Sequence, residues 1–403
     1  MKKILTTIIF LLISGCSITD IPSYFGLPNT SSKQIEINKI DTRLAWSTDI
    51  GASRDYKTGV LQPVFLNGIS YTIDTNGYVT AIDLKTGSKL WAYDLDMDVS
   101  SGLGVHDDKL FFGTNDGMYY GFSISKIMKP YSVFDNLDFV NILDGSTIEP
   151  DLKIQLKSEA SSPAIGVGNL IFIKLDDGDT VAIDYIDNSI AWNYKGRNVS
   201  LSIKGSGAIA SLNNSIYVPR DDGNLVSLIT TSGKLNWLVS ISPRAGRNEL
   251  ESLRDIEIIP VIDNGILYVG SYQGNLISVD IFNGNILWSR PMSVMSNLSI
   301  DERTLYVSDY TGHINAIDRY DGSILWKYTL PENLIPTQTF VMDRLVVSLT
   351  TNGHIVILNK LDGKMLSFKK ILSEVDHQAR GILSNKYLYI NSKDGRLNAI
   401  KIN

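Results

Sequence analysis

Four histidines, one cysteine and a few acidic turns are the side chains whose types could do chemistry. His106, His313, His354 and His377 are scattered along the chain. None sits in H-E-x-x-H or another paired spacing that would hold a metal ion. There is no G-x-S-x-G elbow, and no Gly-Lys is followed by Ser or Thr as a phosphate loop requires. Asp176-Asp177-Gly178-Asp179 and Asp221-Asp222-Gly223 look faintly like calcium loops, but they lack the twelve-residue ligand pattern and its terminal Glu. Both fall on a turn that recurs along the chain, so a turn is their expected role. These residues predict no catalytic centre, no metal and no cofactor. The net charge of −6 falls to −8 without Lys2 and Lys3, which argues against nucleic acid as a partner.

Cys16 is the only thiol, so no intramolecular disulfide can form. Its surroundings suggest another use. Lys2 and Lys3 form a positive start, Ile4 to Ile13 is an apolar run broken only by Thr6 and Thr7, and Ile13-Ser14-Gly15-Cys16 follows. A run of ten residues is too short to span a bilayer, which takes about 20. This is the pattern of a secretory signal ending in small residues. It resembles the bacterial lipobox, in which the cysteine becomes the new N-terminus and carries lipid. That resemblance implies a signal peptide over 1–15 and lipidation, palmitate included, at Cys16. Ser17, where Asp would favour retention at the inner membrane, implies an outer-membrane anchor on the periplasmic side. Residues 16–40, polar and carrying Pro22, Pro28 and Asn29, read as a lipidated flexible tether.

The rest of the chain is built from one recurring phrase. Ala/Ser-hydrophobic-Asp, a few turn residues and Gly are followed four residues later by Trp. Examples are Ala81–Trp91, Ser227–Trp237, Ser278–Trp288 and Ala316–Trp326, with Ala182–Trp192 as a looser copy and Ile357–Ser367 as one that has lost its Trp. Between them run hairpin signals such as Gln62–Asp74 and Ile259–Ser271, in which apolar residues alternate around Asn-Gly turns. Gly77, Gly117, Gly178, Gly223, Gly274, Gly312, Gly353 and Gly395 each open a third strand. Eight four-stranded sheets without helical patterning predict an all-β, eight-bladed β-propeller over 41–403, with four antiparallel strands per blade.

The two ends of the chain point the same way. The last unit supplies three strands and stops at Asn403, while a stray fourth strand, Thr42–Ile50 with Trp46, sits near the start. The N-terminal strand is therefore expected to complete the last blade and close the ring. The Trp side chains are expected to pack between blades, and Asp83, Asp184, Asp280 and Asp318 to accept hydrogen bonds from turn amides. The second unit carries an insertion from Ser125 to about Ile148 and a fourth strand, Leu152–Lys157, without Trp. Such insertions emerge as surface loops.

Lipobox and repeats together resemble the BamB family, lipoprotein subunits of the outer-membrane β-barrel assembly machinery with a PQQ-like repeat propeller. The resemblance covers essentially the whole mature chain, and the stretch from Trp46 to Trp91 follows the family's opening blade closely. Two connections between blades sharpen it: Asn198–Ala208 and Arg247–Ile262. In the family these carry a Leu-x-Leu-Arg stretch and an Asp-x-Asp pair that contact the barrel-forming subunit BamA. Here they read Leu201-Ser202-Ile203-Lys204 and Asp255-Ile256-Glu257. Lys in place of Arg keeps the charge but loses the planar fork.

The resemblance implies a non-enzymatic scaffold that docks on BamA and assists folding and insertion of outer-membrane proteins, nascent chains being a further partner. From the residues alone, Leu201 and Ile203 could equally start a blade strand, with Asp255 and Glu257 on its solvated side. The repeats also resemble quinone-dependent dehydrogenases. The alcohol-dehydrogenase members use a vicinal disulfide, which a single cysteine cannot make. A periplasmic propeller binding a small ligand or carbohydrate is the alternative.

Overall fold

A computed structural model describes residues 40–51, 61–128, 148–197, 207–241, 255–331 and 334–403. The described strands form eight four-stranded antiparallel sheets arranged as the blades of a propeller. Blades 1 to 7 cover residues 64–94, 104–155, 165–194, 210–240, 261–291, 299–329 and 336–370 in order. In each the strands pair in sequence from the innermost to the outermost. Blade 8 combines 381–402 with the first strand, Thr42–Asp49, which pairs antiparallel with Arg396–Ile402 from Thr42↔Ile402 to Asp49↔Arg396.

Burial explains the pattern of each strand. The second and third strands are covered on both faces by neighbouring blades, so stretches such as Leu267–Gly270 and Leu276–Val279 are buried throughout. Outer strands have solvent on one side and alternate. Leu235–Ser240 buries Trp237 and Val239 and exposes the residues between them.

Neighbouring blades are joined by a latch. The Trp of one outer strand lies against the turn glycine of the next blade and donates its indole N–H to a carbonyl of that turn. Trp237 bonds Ile281 O at 2.9 Å, Trp288 bonds Arg319 O at 2.9 Å and Trp326 bonds Lys360 O at 2.9 Å. Trp192 does the same to Thr230 O at 2.7 Å, and Trp46, from the N-terminal strand, to Leu84 O at 3.3 Å. Gly322 has φ +73°, and a Cβ there would come within 2.7 Å of the Trp288 ring. Glycine serves both needs, the left-handed turn and the close approach. Each Trp also meets an aromatic ring on its own second strand, as Trp288 meets Tyr268 at 6.1 Å.

The latch fails where the repeat is irregular. Trp91 is buried, yet its Nε1 has no hydrogen-bond partner. The blade it faces has no glycine turn. A short helix, Ile124–Met128, stands there instead, and its Ile124 and Ile127 are buried in the same core cluster as Trp91. The insertion therefore does not begin as the expected surface loop. Ser125 and Lys126 are exposed, but Ile124 and Ile127, one helical turn apart, fill the space a glycine turn leaves in other blades. Residues 129–147 of the insertion lie outside the described residues. The fourth strand of that blade, Leu152–Gln155, places buried Leu152 opposite Gly121, the place Trp91 takes opposite Ala81.

The repeat's aspartates cap their turns as expected. Asp83 accepts from the amides of Lys85 and Thr86, Asp184 from Ile186 and Asp187, Asp280 from Phe282, and Asp318 from Tyr320.

The latches predict unequal costs for one substitution. Trp288→Phe should lose about 1 kcal/mol beyond its lost packing, the value of a buried hydrogen bond. Trp91→Phe should lose only the packing part. Gly322→Ala should destabilise by about 1–3 kcal/mol through strain and overlap with the ring. Urea unfolding of the three variants measures this, and equal hydrogen-bond costs at Trp91 and Trp288 would count against the latch.

Candidate partner interface

The turn between second and third strands and the connection that leads into each blade lie side by side on one face of the wheel. Their backbones bond to each other: Tyr272 N to Asp255 O at 2.9 Å, Asp176 N to Glu159 O at 2.9 Å, Tyr310 N to Ser293 O at 2.9 Å and Lys393 N to Glu374 O at 2.8 Å. Asp255 thus holds a recurring position of the wheel, at the start of the segment that leads into blade 5.

Alternation along this segment puts Ile256 and Ile258 into the core. Asp255 and Glu257 point the other way, but not to water. They are only 0 % and 4 % exposed. The expectation that these carboxylates lie on a solvated side is corrected here, because the segment runs beneath neighbouring turns. Lys174 of blade 3 donates to Asp221 Oδ1 at 3.3 Å and to Gly207 O at 3.4 Å. Gly207, the first described residue after the Leu201–Lys204 stretch, donates its amide to the Glu257 carboxylate. A Cβ on Gly207 would come within 2.4 Å of Ile256 O. The connections into blades 4 and 5 are therefore in contact at this point. Leu201, Ile203 and Lys204 themselves lie outside the described residues, as does Cys16.

Burial drives the Glu257 carboxyl well above its ordinary 4.5, and the charges of Asp221 and Asp255 push the same way. Lys174 and the Gly207 amide oppose the rise. Burial also pulls the Arg380 guanidinium down to about 10, against the charge of Glu257. Arg380 precedes blade 8, three blades on from Glu257, yet the two groups are close enough for the charge of one to act on the other. Gln62 ties this end of blade 8 to blade 1, accepting from Arg380 N at 2.8 Å and donating to Gln378 O at 3.2 Å. Sequence reading missed Lys174, Asp221 and Arg380. They sit at a strand end, in a repeat turn and in a connection of three different blades, and nothing in their spacing marks them.

The acidic turns are turns. Asp177 and Asp179 take Lys157 at 2.9 and 3.4 Å, and Asp222 takes Arg220 at 3.4 Å. Among the described residues no group of three His, Cys, Asp or Glu is placed to hold a metal ion. His313 lies 3.0 Å from Asp309 and 2.8 Å from Thr311, but both contacts use Nδ1. A relay of the Ser-His-Asp type needs its nucleophile and carboxylate on opposite ring nitrogens.

A raised carboxyl makes folding take up a proton. The stability contribution of protonated Glu257 is full below pH 4.5 and is lost as the pH climbs toward the folded value. Glu257→Gln should therefore unfold at higher urea than the parent chain at pH 7, the gap closing as the pH falls to 4.5. A constant gap across that range would contradict this protonation.

Comparison with known proteins bears on the whole wheel. A family model described as outer membrane protein assembly factor BamB matches residues 34–127 and 75–328. The BamB of Yersinia pestis is 26 % identical over 294 residues, covering 72 % of this chain and 71 % of its own length. That of Salmonella typhimurium is 25 % identical over 404 residues, covering 96 % of each. The crystal structure of BamB from Moraxella catarrhalis superposes with a TM-score of 0.74 at 20 % identity, over 90 % of this chain and 100 % of that one. A quinohemoprotein alcohol dehydrogenase from Pseudomonas putida HK5 superposes with a TM-score of 0.63 at 13 % identity, over 89 % of this chain and 76 % of that one, a likeness of fold alone. The match to the family model spans most of the propeller, and on that ground the chain belongs to the BamB family of outer membrane protein assembly factors.

Proposed function

We propose that this chain is a non-enzymatic scaffold lipoprotein of outer-membrane protein assembly, held at the periplasmic side of the outer membrane by lipid on Cys16. It docks on a BamA-like barrel-inserting subunit and assists folding and insertion of outer-membrane proteins. Family membership carries the reading. The contact of Gly207 with Ile256 and Glu257 supports it, because it sets the connection into blade 4 against the segment that bears Asp255 and Glu257.

In this reading Leu201, Ile203 and Lys204 supply the apolar anchors and cation of the interface. Asp255 and Glu257, both buried, fix the shape of the neighbouring connection into blade 5. The outer strands Leu235–Ser240, Ile286–Pro291 and Ile324–Thr329 each pair on one side only within the described residues and carry exposed Leu and Ile. They offer edges to which a nascent barrel strand could add.

Two measurements test the reading. Leu201→Ala combined with Lys204→Glu should weaken co-purification with the BamA-like subunit at least about tenfold at an unchanged unfolding midpoint. Asp255→Ala should weaken it together with a lowered midpoint, since it removes a buried group. Undiminished co-purification in the first variant refutes the docking site. Cys16→Ser should abolish palmitate incorporation in cells. Continued labelling of that variant would place the lipid elsewhere.

A further inference from the structure

The residue that follows each third strand gives its carbonyl to the latch, and its side chain fills a slot between two blades. Seven blades run in sequence from third to fourth strand. In six of them this side chain is buried: Leu84, Ile124, Tyr185, Thr230, Ile281 and Arg319 are at most 8 % exposed. Two of the six reach back to a carboxylate of the preceding blade, Tyr185 to Asp107 at 2.7 Å and Arg319 to Asp263 at 2.5 Å. The seventh is Lys360 of blade 7, whose side chain keeps 27 % of its surface exposed. Beside it, between blades 6 and 7, lies a cavity of about 480 Å³ whose lining includes Asp301, Glu302, Arg303, Tyr306, Trp326 and Leu361.

The slot between blades 5 and 6 has the same walls and is full. Tyr268, Trp288 and Asp263 stand there at the positions that Tyr306, Trp326 and Asp301 hold in the open slot. Arg319 fills it. Its guanidinium lies 5.5 Å from the Tyr268 ring and 5.4 Å from the Tyr320 ring. It donates to the Tyr268 hydroxyl at 3.1 Å, to Asp301 O at 3.2 Å and to the Asp263 carboxylate. Lys360, at the place of Arg319, makes an ion pair with Asp301 at 3.1 Å. A compact ammonium does not fill a place shaped for a planar fork. The lip differs too: Leu361, 81 % exposed, stands where Tyr320 stacks on Arg319.

The open slot favours a cation over a sugar. Trp326 has little free face for a sugar ring, since a Cβ on Gly363 would come within 2.6 Å of its ring and Tyr306 meets it at 6.1 Å. Of the lining charges, Arg303 is paired with Asp318 at 3.0 Å and Lys360 with Asp301. The exposed Glu302 carboxylate has no ion pair among the described residues.

We propose that this slot binds the guanidinium of an arginine presented by a partner polypeptide. The guanidinium takes the place on Asp301 and the Tyr306 hydroxyl that Arg319 takes on Asp263 and Tyr268. Glu302 supplies a second carboxylate, and the Lys360 ammonium turns out to solvent. The outer strand Ile324–Thr329 contains Trp326 and pairs on one side only within the described residues, so a partner's extended backbone has an edge beside the slot. The slot lies on the face opposite Asp255 and is independent of docking at that segment.

The test reads Trp326 directly. The full chain is made with fluorotryptophan in place of its six tryptophans, and the fluorine signal of Trp326 is identified by its loss in Trp326→Phe. Nα-acetyl-arginine methylamide should move that signal saturably and leave the other tryptophan signals in place. Nα-acetyl-lysine methylamide at equal concentration should move it several-fold less. Lys360→Ala removes the competing cation and widens the slot, so it should tighten arginine binding several-fold. Lys360→Arg fills the slot from within, as Arg319 fills its twin, and should abolish binding. Unmoved signals of the other tryptophans report that both variants are folded. Absence of a saturable shift, equal shifts with the arginine and lysine probes, or weaker binding in folded Lys360→Ala overturns the proposal. So does a larger shift with glucose or with inorganic phosphate.

Discussion

A wheel of sheets has to close on itself, and here a single strand pairing closes it. The last sheet supplies three strands and the start of the chain the fourth, over seven residue pairs from Thr42↔Ile402 to Asp49↔Arg396. Without it, blade 8 would present its third strand as a bare edge and Trp46 would not reach Leu84 in blade 1. The pairing joins the two ends of a chain that has no disulfide to do so, and it fixes where the N-terminal segment leaves the wheel.

Everything between those ends depends on one repeated contact. An indole lies flat on a glycine turn and donates to that turn's carbonyl, so that five of the eight blades register the next in this way. The exceptions obey the same physics. Trp91 loses its acceptor where a helix replaces the turn. Ser367 replaces Trp in blade 7, whose neighbour has no third-to-fourth turn because its fourth strand comes from the other end of the chain. A latch is kept only where there is something to close on.

With the scaffold rigid, function moves to the two rims. One rim gathers the connections between blades, and its buried carboxylates and cations come from several blades. The opposite rim carries the hairpin turns, from which Ile186, Phe282, Tyr320 and Leu361 stand exposed. A repeat fold lets these faces vary while the latches stay constant, which is how one architecture serves both dehydrogenases and assembly factors.

Much of this was legible in the amino-acid order. The phrase Ala-Ile-Asp to Trp, the eight turn glycines and the displaced strand around Trp46 determine the propeller, its closure and the structural role of its tryptophans, because strand period, turn chemistry and latch spacing are local properties of the chain. The family was readable too, through the lipobox and the repeats, with two short connections to sharpen it. What no local pattern contains is burial and neighbourhood. Asp255 and Glu257 read as a polar pair on an alternating strand, and only the packing of the adjacent turns shows them enclosed. Lys174, Asp221 and Arg380 are unremarkable residues of three blades until the ring brings each of them within the field of Glu257. Ser125 and its neighbours read as the start of a loop, yet the empty place beside Trp91 draws Ile124 and Ile127 inward. These outcomes depend on contacts between residues far apart in sequence, and such contacts exist only once the wheel is closed.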